Sequence, residues 1–490
     1  MNAVIMVGQL LVSLSLLIFI HELGHFLAAR IFGIRVNKFF IFFDTKFSIV
    51  KWKRINGKLQ YKFFSSSLPL AEAEKDYKGD YIKDEKGKIK YRNISLDSLP
   101  ENDWRLYPET TEYGIGWLPL GGYVKIAGMV DESLDMAQLK KDPQKWEFRS
   151  KPAWQRFIVM IAGVVMNVIL GVLIFGFIHL AFTKKYIPLE NVPEGIYAYQ
   201  TARDINLRSG DKIIAINGKT TERIDDILLT TNLAFAKTIT VERNGMTIEI
   251  QSDKDIYTII KNGEDFIGLH NFSVLIDTVA PELPAAIAGM KVGAKVLFID
   301  DEWITSFGQM KEKLVSCKNK NTQFIVDSNG KTDTLMIQVD SLGKIGVNPV
   351  FPIYETKNYN FASAMKYGYR DAYSMLIANI KGLGKVIKGE EKAREALSGP
   401  IGIAKMYGSV WNWHKFWTLT AVLSMVLAFM NILPIPALDG GHAIICFIEA
   451  VTRRKMPDKF MEVLQIIGMI IIFALMIFVI GNDIIKLIIN

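Results

Sequence analysis

Residues 16–33 read LLIFIHELGHFLAARIFG, and they set two histidines and a glutamate inside an otherwise lipid-compatible run. An ionisable residue at bilayer depth costs about 2.5–3.5 kcal/mol on insertion scales, so such residues usually face a protein interior and serve a function. The rest of the chain supplies the membrane setting. Half of its 490 residues are hydrophobic although 22% are charged, a mixture that implies membrane spans joined to soluble domains. Four segments, 3–33, 157–182, 416–436 and 462–488, approach or exceed the roughly 20 apolar residues a helical span needs. The first lacks a basic start and a small-residue cleavage site, so it is expected to stay attached rather than be removed as a signal peptide.

Lysine and arginine crowd the segment from Arg30 to Arg156 and the loop TRRKMPDK (452–459). The positive-inside rule then places both in the cytoplasm, with the N-terminus, residues 184–414 and the C-terminus outside. The net charge of +8 has no helix-turn-helix, zinc-finger or RNA-binding signature beside it, so membrane topology explains it better than nucleic acid. Cys317 and Cys446 are far apart, and no disulfide framework is expected.

His21 and His25 stand four residues apart, and one helical turn brings both imidazoles to the same face, close enough to share a metal ion. Glu22 lies beside them, placed to act on water rather than to ligate. HExxH is the pattern in which two histidines bind zinc and the glutamate is the general base of a metallopeptidase. A catalytic zinc usually takes three protein ligands and leaves a fourth place open. The third candidate lies in NILPIPALDGGH (431–442). Pro434 and Pro436 cannot continue an α-helix, so the third span opens there. Opened backbone at membrane depth is tolerated only inside protein or beside a wet cavity, where Asp439 could reach a metal. His442 is a rival ligand, and Asp439 as a mere helix cap is the structural alternative.

Residues 184–350 contain a diverged repeat. ARDINLRSGDKIIAINGKTTERIDDI (202–227) is echoed by AAIAGMKVGAKVLFIDDEWITSFGQM (285–310), with Gly210 and Gly293 in corresponding places. Each copy passes from a helix-like stretch through a glycine turn into a β-branched strand. In the second, Ala294 replaces Asp211 and Asp-Asp-Glu replaces the Asn-Gly turn. LRSGDKIIAINGK closely resembles PDZ domains, which bind extended peptides or chain termini by adding a strand to a sheet edge. Between Lys51 and Tyr113, GKLQYKFF and GKIKYRNI alternate as hairpin strands would, about Asn-Gly and Lys-Gly turns. GIGWLPLGGYVKIAG (114–128) is apolar, β-prone and rich in glycine, and is expected to dip into the membrane under cover of the spans.

With these residues in view, the chain resembles the site-2 protease family of intramembrane zinc metalloproteases, most closely the bacterial RseP type. The resemblance runs in order through HExxH, PLGGYVKIAG, a second span, tandem PDZ domains, SGPIGIAKM and NILPIPALDGG. It implies that His21, His25 and Asp439 hold one zinc ion and that Glu22 is the catalytic base. It also implies substrate binding by the NxxPxP motif, here Asn431, Pro434 and Pro436, and by a hairpin edge strand at Gly121, Gly122, Tyr123 and Val124. The second span reads AGVVMN where relatives often read AGPxxN, which leaves Asn167 between a role at the site and helix packing. FFDTK stands where relatives carry a GFG motif after the first span.

The expected fold is a polytopic α-helical membrane protein of four transmembrane helices, with a membrane-associated β-hairpin region and two extracytoplasmic PDZ domains. Its expected parts are span one with HExxH (1–33), a cytoplasmic β-hairpin region (34–155), span two (156–183), PDZ domains (184–265 and 266–350), an amphipathic linker (351–414), span three with NxxPxPxLDGG (415–450), a cytoplasmic loop (451–461) and span four (462–490). The linker could lie on the outer membrane surface or beneath the PDZ domains. Cys446, the span methionines and His179 are expected to fill packed interiors. The implied activity is zinc-dependent hydrolysis within transmembrane segments of single-span proteins, such as anti-sigma factors or signal-peptide remnants, in a bacterial inner membrane. The partners implied are those substrates, peptide termini or trimmed ectodomains at the PDZ domains, and the bilayer. A noncatalytic PDZ scaffold is the alternative, but it would have no use for HExxH and LDG together.

Overall fold

A computed structural model of the chain describes residues 2–66, 71–73, 91–93, 99–100, 103–119, 121–129, 142–182, 184–186, 192, 194–221, 227, 233–252, 255–261, 265–270, 274–350, 355–357 and 359–489. The chain forms two compact units, Met1–Phe182 with Tyr359–Asn490, and Thr183–Asn358.

In the first unit the principal helices are α1 (Asn2–Ile31), α2 (Ala153–Ala181), α3 (Phe361–Ile387), α4 (Pro400–Tyr407), α5 (Trp413–Ile432), α6 (Asp439–Thr452) and α7 (Asp458–Ile489). Four segments, Ala3–Ile31, Ala153–Ala181, Trp413–Ile432 and Phe460–Ile488, are helices long and apolar enough to cross a membrane, and they coincide with the four segments read from the sequence. Small residues let these helices approach closely. A Cβ on Gly24 of α1 would stand 2.5 Å from the Ala162 carbonyl oxygen of α2, so any larger side chain would push the helices apart. Helix α3 falls in the linker, and Ala364, Gly368 and Ala372 form its buried face. A Cβ on Gly368 would stand 2.7 Å from the Val172 carbonyl oxygen of α2, and one apolar cluster joins α2, Ala372 of α3 and Ala421 and Met425 of α5. Neither placement open to the linker in the sequence named this contact.

Five strands follow and flank α1: β1 (Val36–Phe40), β2 (Phe43–Ile55), β3 (Lys58–Ser65), β4 (Glu112–Leu118) and β5 (Tyr123–Ile126). Their order in the sheet is β3-β2-β4-β1-β5. The Asn56-Gly57 hairpin between β2 and β3 is as read, with Ile55 paired to Lys58. The GGYVK segment is different: β4 and β5 are not partners, because β1 lies between them, parallel to β4 and antiparallel to β5. Residues 114–128 therefore do not form the hairpin expected from the sequence. The physical reason is Phe39 of β1, which packs edge-on and tilted against Phe19 and Phe26 of α1 and holds β1 in the sheet's interior. A second pair, Ala71–Ala73 with Tyr91–Asn93, is antiparallel; the Lys-Gly turn expected within GKIKYRNI lies outside the described residues.

Polar ties close this unit. Arg156 of α2 pairs with the buried Glu449 of α6. Asp483 of α7 accepts the backbone N–H groups of Gly399, Ile401 and Gly402 at 3.0, 2.9 and 3.0 Å, fixing the start of α4. His179, read as filler, has its Nε2 2.8 Å from Asp371 Oδ2 of α3, so it is a polar tie as well.

The second unit contains two four-stranded sheets. Strands β6 (Lys212–Ile216), β7 (Lys219–Thr220), β8 (Thr238–Arg243) and β9 (Met246–Gln251) form one antiparallel sheet, and β10 (Lys295–Ile299), β11 (Glu302–Trp303), β12 (Asn321–Ser328) and β13 (Lys331–Gln338) form another. The orders β7-β6-β8-β9 and β11-β10-β12-β13 are the same, and each copy has its own apolar core. Gly210 and Gly293 hold the equivalent turn at φ +94° and +84°, a left-handed conformation that glycine adopts without Cβ strain. In the first copy the fully buried Asp211 binds Arg243 at 2.6 Å and accepts the Arg208 N–H at 2.8 Å; Ala294 fills that place with an apolar group in the second.

Replacing Asp483 with alanine leaves three N–H groups of the SGPIG turn without their acceptor. The expected loss is about 2 kcal/mol or more, seen as a lower thermal midpoint in detergent and faster proteolysis around residues 397–402. An unchanged midpoint would refute the tie.

Candidate active site

Helix α1 carries its two histidines on the face turned to α2, and Gly163 is the reason they fit. A Cβ on that glycine would stand 2.7 Å from His21 Cε1 and closer still to His25 Nε2. The third group arrives by a helix break. Helix α5 ends at Ile432, residues 433–438 contain both prolines, and α6 restarts at Asp439. Ala437 sits within the break at φ +75°, a conformation that costs an L-residue about 1–2 kcal/mol.

The three groups converge. Asp439 Oδ2 is 2.9 Å from His21 Nε2 and 3.2 Å from His25 Nε2, and the two Nε2 atoms are 3.2 Å apart. Two ligands each about 2.0–2.1 Å from a tetrahedral zinc ion stand about 3.3 Å apart. The observed separations therefore fit such an ion, and so does the chemistry of two imidazoles and one carboxylate. Among the described residues this is the one group of three or more His, Cys, Asp and Glu side chains close enough to hold a metal. His442, the rival ligand, has its Nε2 3.0 Å from Gln465 Oε1 of α7 and stands outside the cluster.

The other ring nitrogens and nearby amides are placed by neighbouring helices. His25 Nδ1 is 2.8 Å from the Val159 carbonyl oxygen of α2, to which its N–H donates. His21 Nδ1 is 3.3 Å from the Asn167 amide, and its Nε2 is 3.4 Å from Asn431 Nδ2 of α5. Both histidines are buried, at 9% and 4% exposure, so little solvent competes for these contacts.

A cavity of about 580 Å³ opens at this cluster. Its walls include Ile18, His21, Glu22 and His25 of α1, Asn431 of α5, Asp439 and His442 of α6, and Gln465 of α7. Strand β5 contributes Tyr123, Val124, Lys125 and Ile126, with Gly122 just before it. Of the residues singled out in the sequence, Gly121, Pro434 and Pro436 are not in the wall. A Cβ on Gly121 would stand 2.6 Å from the Phe43 ring, so that glycine admits the neighbouring aromatic side chain, while the prolines lie in the break. Val159, Gly163 and the placement of Asn167 escaped the sequence reading. The signal available was their own spacing, four residues apart along one face of α2.

The family model of peptidase family M50 matches residues 9–70 and 102–475. The chain belongs to peptidase family M50. The M50 chain is 26% identical to the regulator of sigma E protease of Haemophilus influenzae, an alignment covering 98% of each protein. It is 25% identical to a Vibrio cholerae protein named "Putative zinc metalloprotease", over 97% of this chain and 98% of that one. A Clostridium perfringens protein described in the same words is 25% identical over 97% of each. The chain is thus a membrane zinc metalloprotease of the site-2 type, and the M50 cluster of His21, His25 and Asp439 has the donor set that zinc takes.

Gly163→Ala would drive a methyl group into both imidazoles. Zinc affinity, measured by competition with a chelator, should fall at least about tenfold. Gly382→Ala on α3, where a Cβ meets nothing within 4 Å, should leave it unchanged. Equal affinities in the two variants would show that the histidines do not depend on this gap.

Proposed function

We propose that the chain is an intramembrane endopeptidase that cuts within or beside transmembrane segments of single-span proteins, with anti-sigma factors and remnant signal peptides as its substrate class. One observation carries the reading: Glu22, the three-ligand cluster, Asn431 and strand β5 share one cavity in the unit that holds the four apolar helices. The name of the Haemophilus influenzae relative, regulator of sigma E protease, supports the anti-sigma branch.

His21, His25 and Asp439 would hold the zinc ion, which would supply an acidified water and a polarised carbonyl. Glu22 takes a proton from the attacking water as its oxygen bonds to the scissile carbonyl carbon. It returns a proton to the amine as the C–N bond breaks. A helical substrate keeps its carbonyls in internal hydrogen bonds, so it has to open before it is cut. Among the described residues β5 is the end strand of its sheet, with β1 as its strand neighbour, and in this reading an extended substrate adds alongside it. In this reading Gly122, Tyr123, Val124 and Asn431 touch substrate, while Gly121, Pro434 and Pro436 shape the surroundings.

The two repeats are proposed to be PDZ-type modules on the extracytoplasmic side of a bacterial inner membrane, with the metal near the cytoplasmic side. Their proposed task is to exclude membrane proteins with bulky outer domains until another protease has trimmed them. Removing residues 190–350 should then allow cleavage of untrimmed substrates; unchanged discrimination would reject this filter.

Glu22→Gln keeps the size of the side chain and removes its basicity. Cleavage of a membrane-spanning reporter should drop about 10²–10⁴-fold while bound zinc stays at the wild-type level. Equal cleavage by both proteins would sink the assignment.

A further inference from the structure

We propose that Asn167 is a positioning residue that holds the His21 ring for the metal by a hydrogen bond to Nδ1, so that α2 supports both histidine ligands. The proposal rests on the zinc reading of the cluster.

His21 and His25 both turn Nε2 toward Asp439 Oδ2. A neutral imidazole whose Nε2 lone pair serves a metal carries its proton on Nδ1, and that N–H needs an acceptor to fix the ring. For His25 the acceptor is the Val159 carbonyl oxygen, 2.8 Å away. For His21 the group in reach is the Asn167 amide, 3.3 Å from Nδ1. Val159, Gly163 and Asn167 follow one another at four-residue steps, so a single face of α2 supplies an acceptor for one ring, a gap for both, and an amide for the other.

The amide itself gives the second observation. Asn167 is completely buried, and among the described residues its Oδ1 has no hydrogen-bond partner, while Nδ2 is the atom facing His21. Oδ1 and Nδ2 exchange by a half-turn of a nearly symmetric group. Turned that way, Oδ1 accepts the Nδ1–H of His21, and the unpartnered acceptor meets the donor that metal ligation demands. Ser424 of α5 donates to the Asn167 backbone oxygen at 2.7 Å, which holds this turn of α2 against the helix leading to Asp439.

A buried asparagine can also act only as adhesive between membrane helices. The two roles predict opposite rankings of two substitutions. For a packing role, the apolar Asn167→Leu is the milder change, and Asn167→Asp, which buries a carboxylate, is the harsher. For a positioning role the order reverses, because aspartate keeps an acceptor and leucine has none.

The test is zinc affinity of the full-length protein in detergent, by chelator competition, with thermal unfolding of each metal-free variant recorded alongside. Asn167→Leu should bind zinc about 10–100-fold more weakly than wild type, and Asn167→Asp should bind within about threefold of it or tighter. Wild-type affinity in a folded Leu variant would overturn the proposal, as would an Asp variant that loses as much as Leu. Should the Leu variant fail to fold, the Asp variant decides: retained zinc supports the proposal and a tenfold loss rejects it. Wild-type protein that binds no zinc would remove the metal reading itself, and the proposal with it.

Discussion

Two helices meeting backbone to backbone, Gly24 of α1 against Ala162 and Gly163 of α2, is the constraint on which the rest of the first unit depends. That approach lets Val159 reach one imidazole and Asn167 the other, and it leaves room for both rings beneath the helix they face. Charge balance follows from the same closeness. A divalent cation with one carboxylate ligand would leave a positive charge at membrane depth, where unpaired charge is expensive. Glu22 in the same wall carries a second carboxyl group, and in the proposed mechanism its negative charge would offset that excess.

The other half of the site is an interrupted helix. Continuous helix from Trp413 to Thr452 would carry Asp439 onward along the axis; the break turns the chain and restarts it with Asp439 as the first residue of α6. Gly440 and Gly441 are needed at that turn, since a Cβ on Gly440 would collide with the backbone of Ile432 and Leu433, and one on Gly441 with that of Ile435. Helix α7 closes behind it: Gly468 lies against the Pro436 backbone, and Gln465 engages His442.

Much of this was legible in the sequence because it is local. HExxH spacing fixes which two rings share a helical face, paired prolines announce a break, and long apolar runs announce spans. The two sheets of matching strand order were visible for a similar reason, since each follows a short turn-and-strand pattern about Gly210 or Gly293. What was hidden is non-local. Nothing within GIGWLPLGGYVKIAG states that a strand more than 70 residues earlier, anchored by Phe39, will separate its two halves. Nor does the linker reveal that Ala364, Gly368 and Ala372 will lie along α2, because small residues at helical spacing mark a close contact without naming its partner. Asn167 was ambiguous in sequence for a simpler reason: an amide serves packing and ligand support equally well until its neighbours are known.

Strand β1 links the elements of the cleft. It begins five residues after α1 ends and pairs directly with β5, so the helix bearing HELGH and the strand edge beside it are joined by one short length of chain. Strand pairing is a ratchet: side chains alternate in direction, and a shift that preserves which ones face inward covers two residues, roughly 6.8 Å. In the proposed mode of binding, a polypeptide laid on β5 would therefore be gauged in pairs of residues against a blade fixed to the same rule. Such a device would distinguish peptides by the parity of their register as well as by their composition.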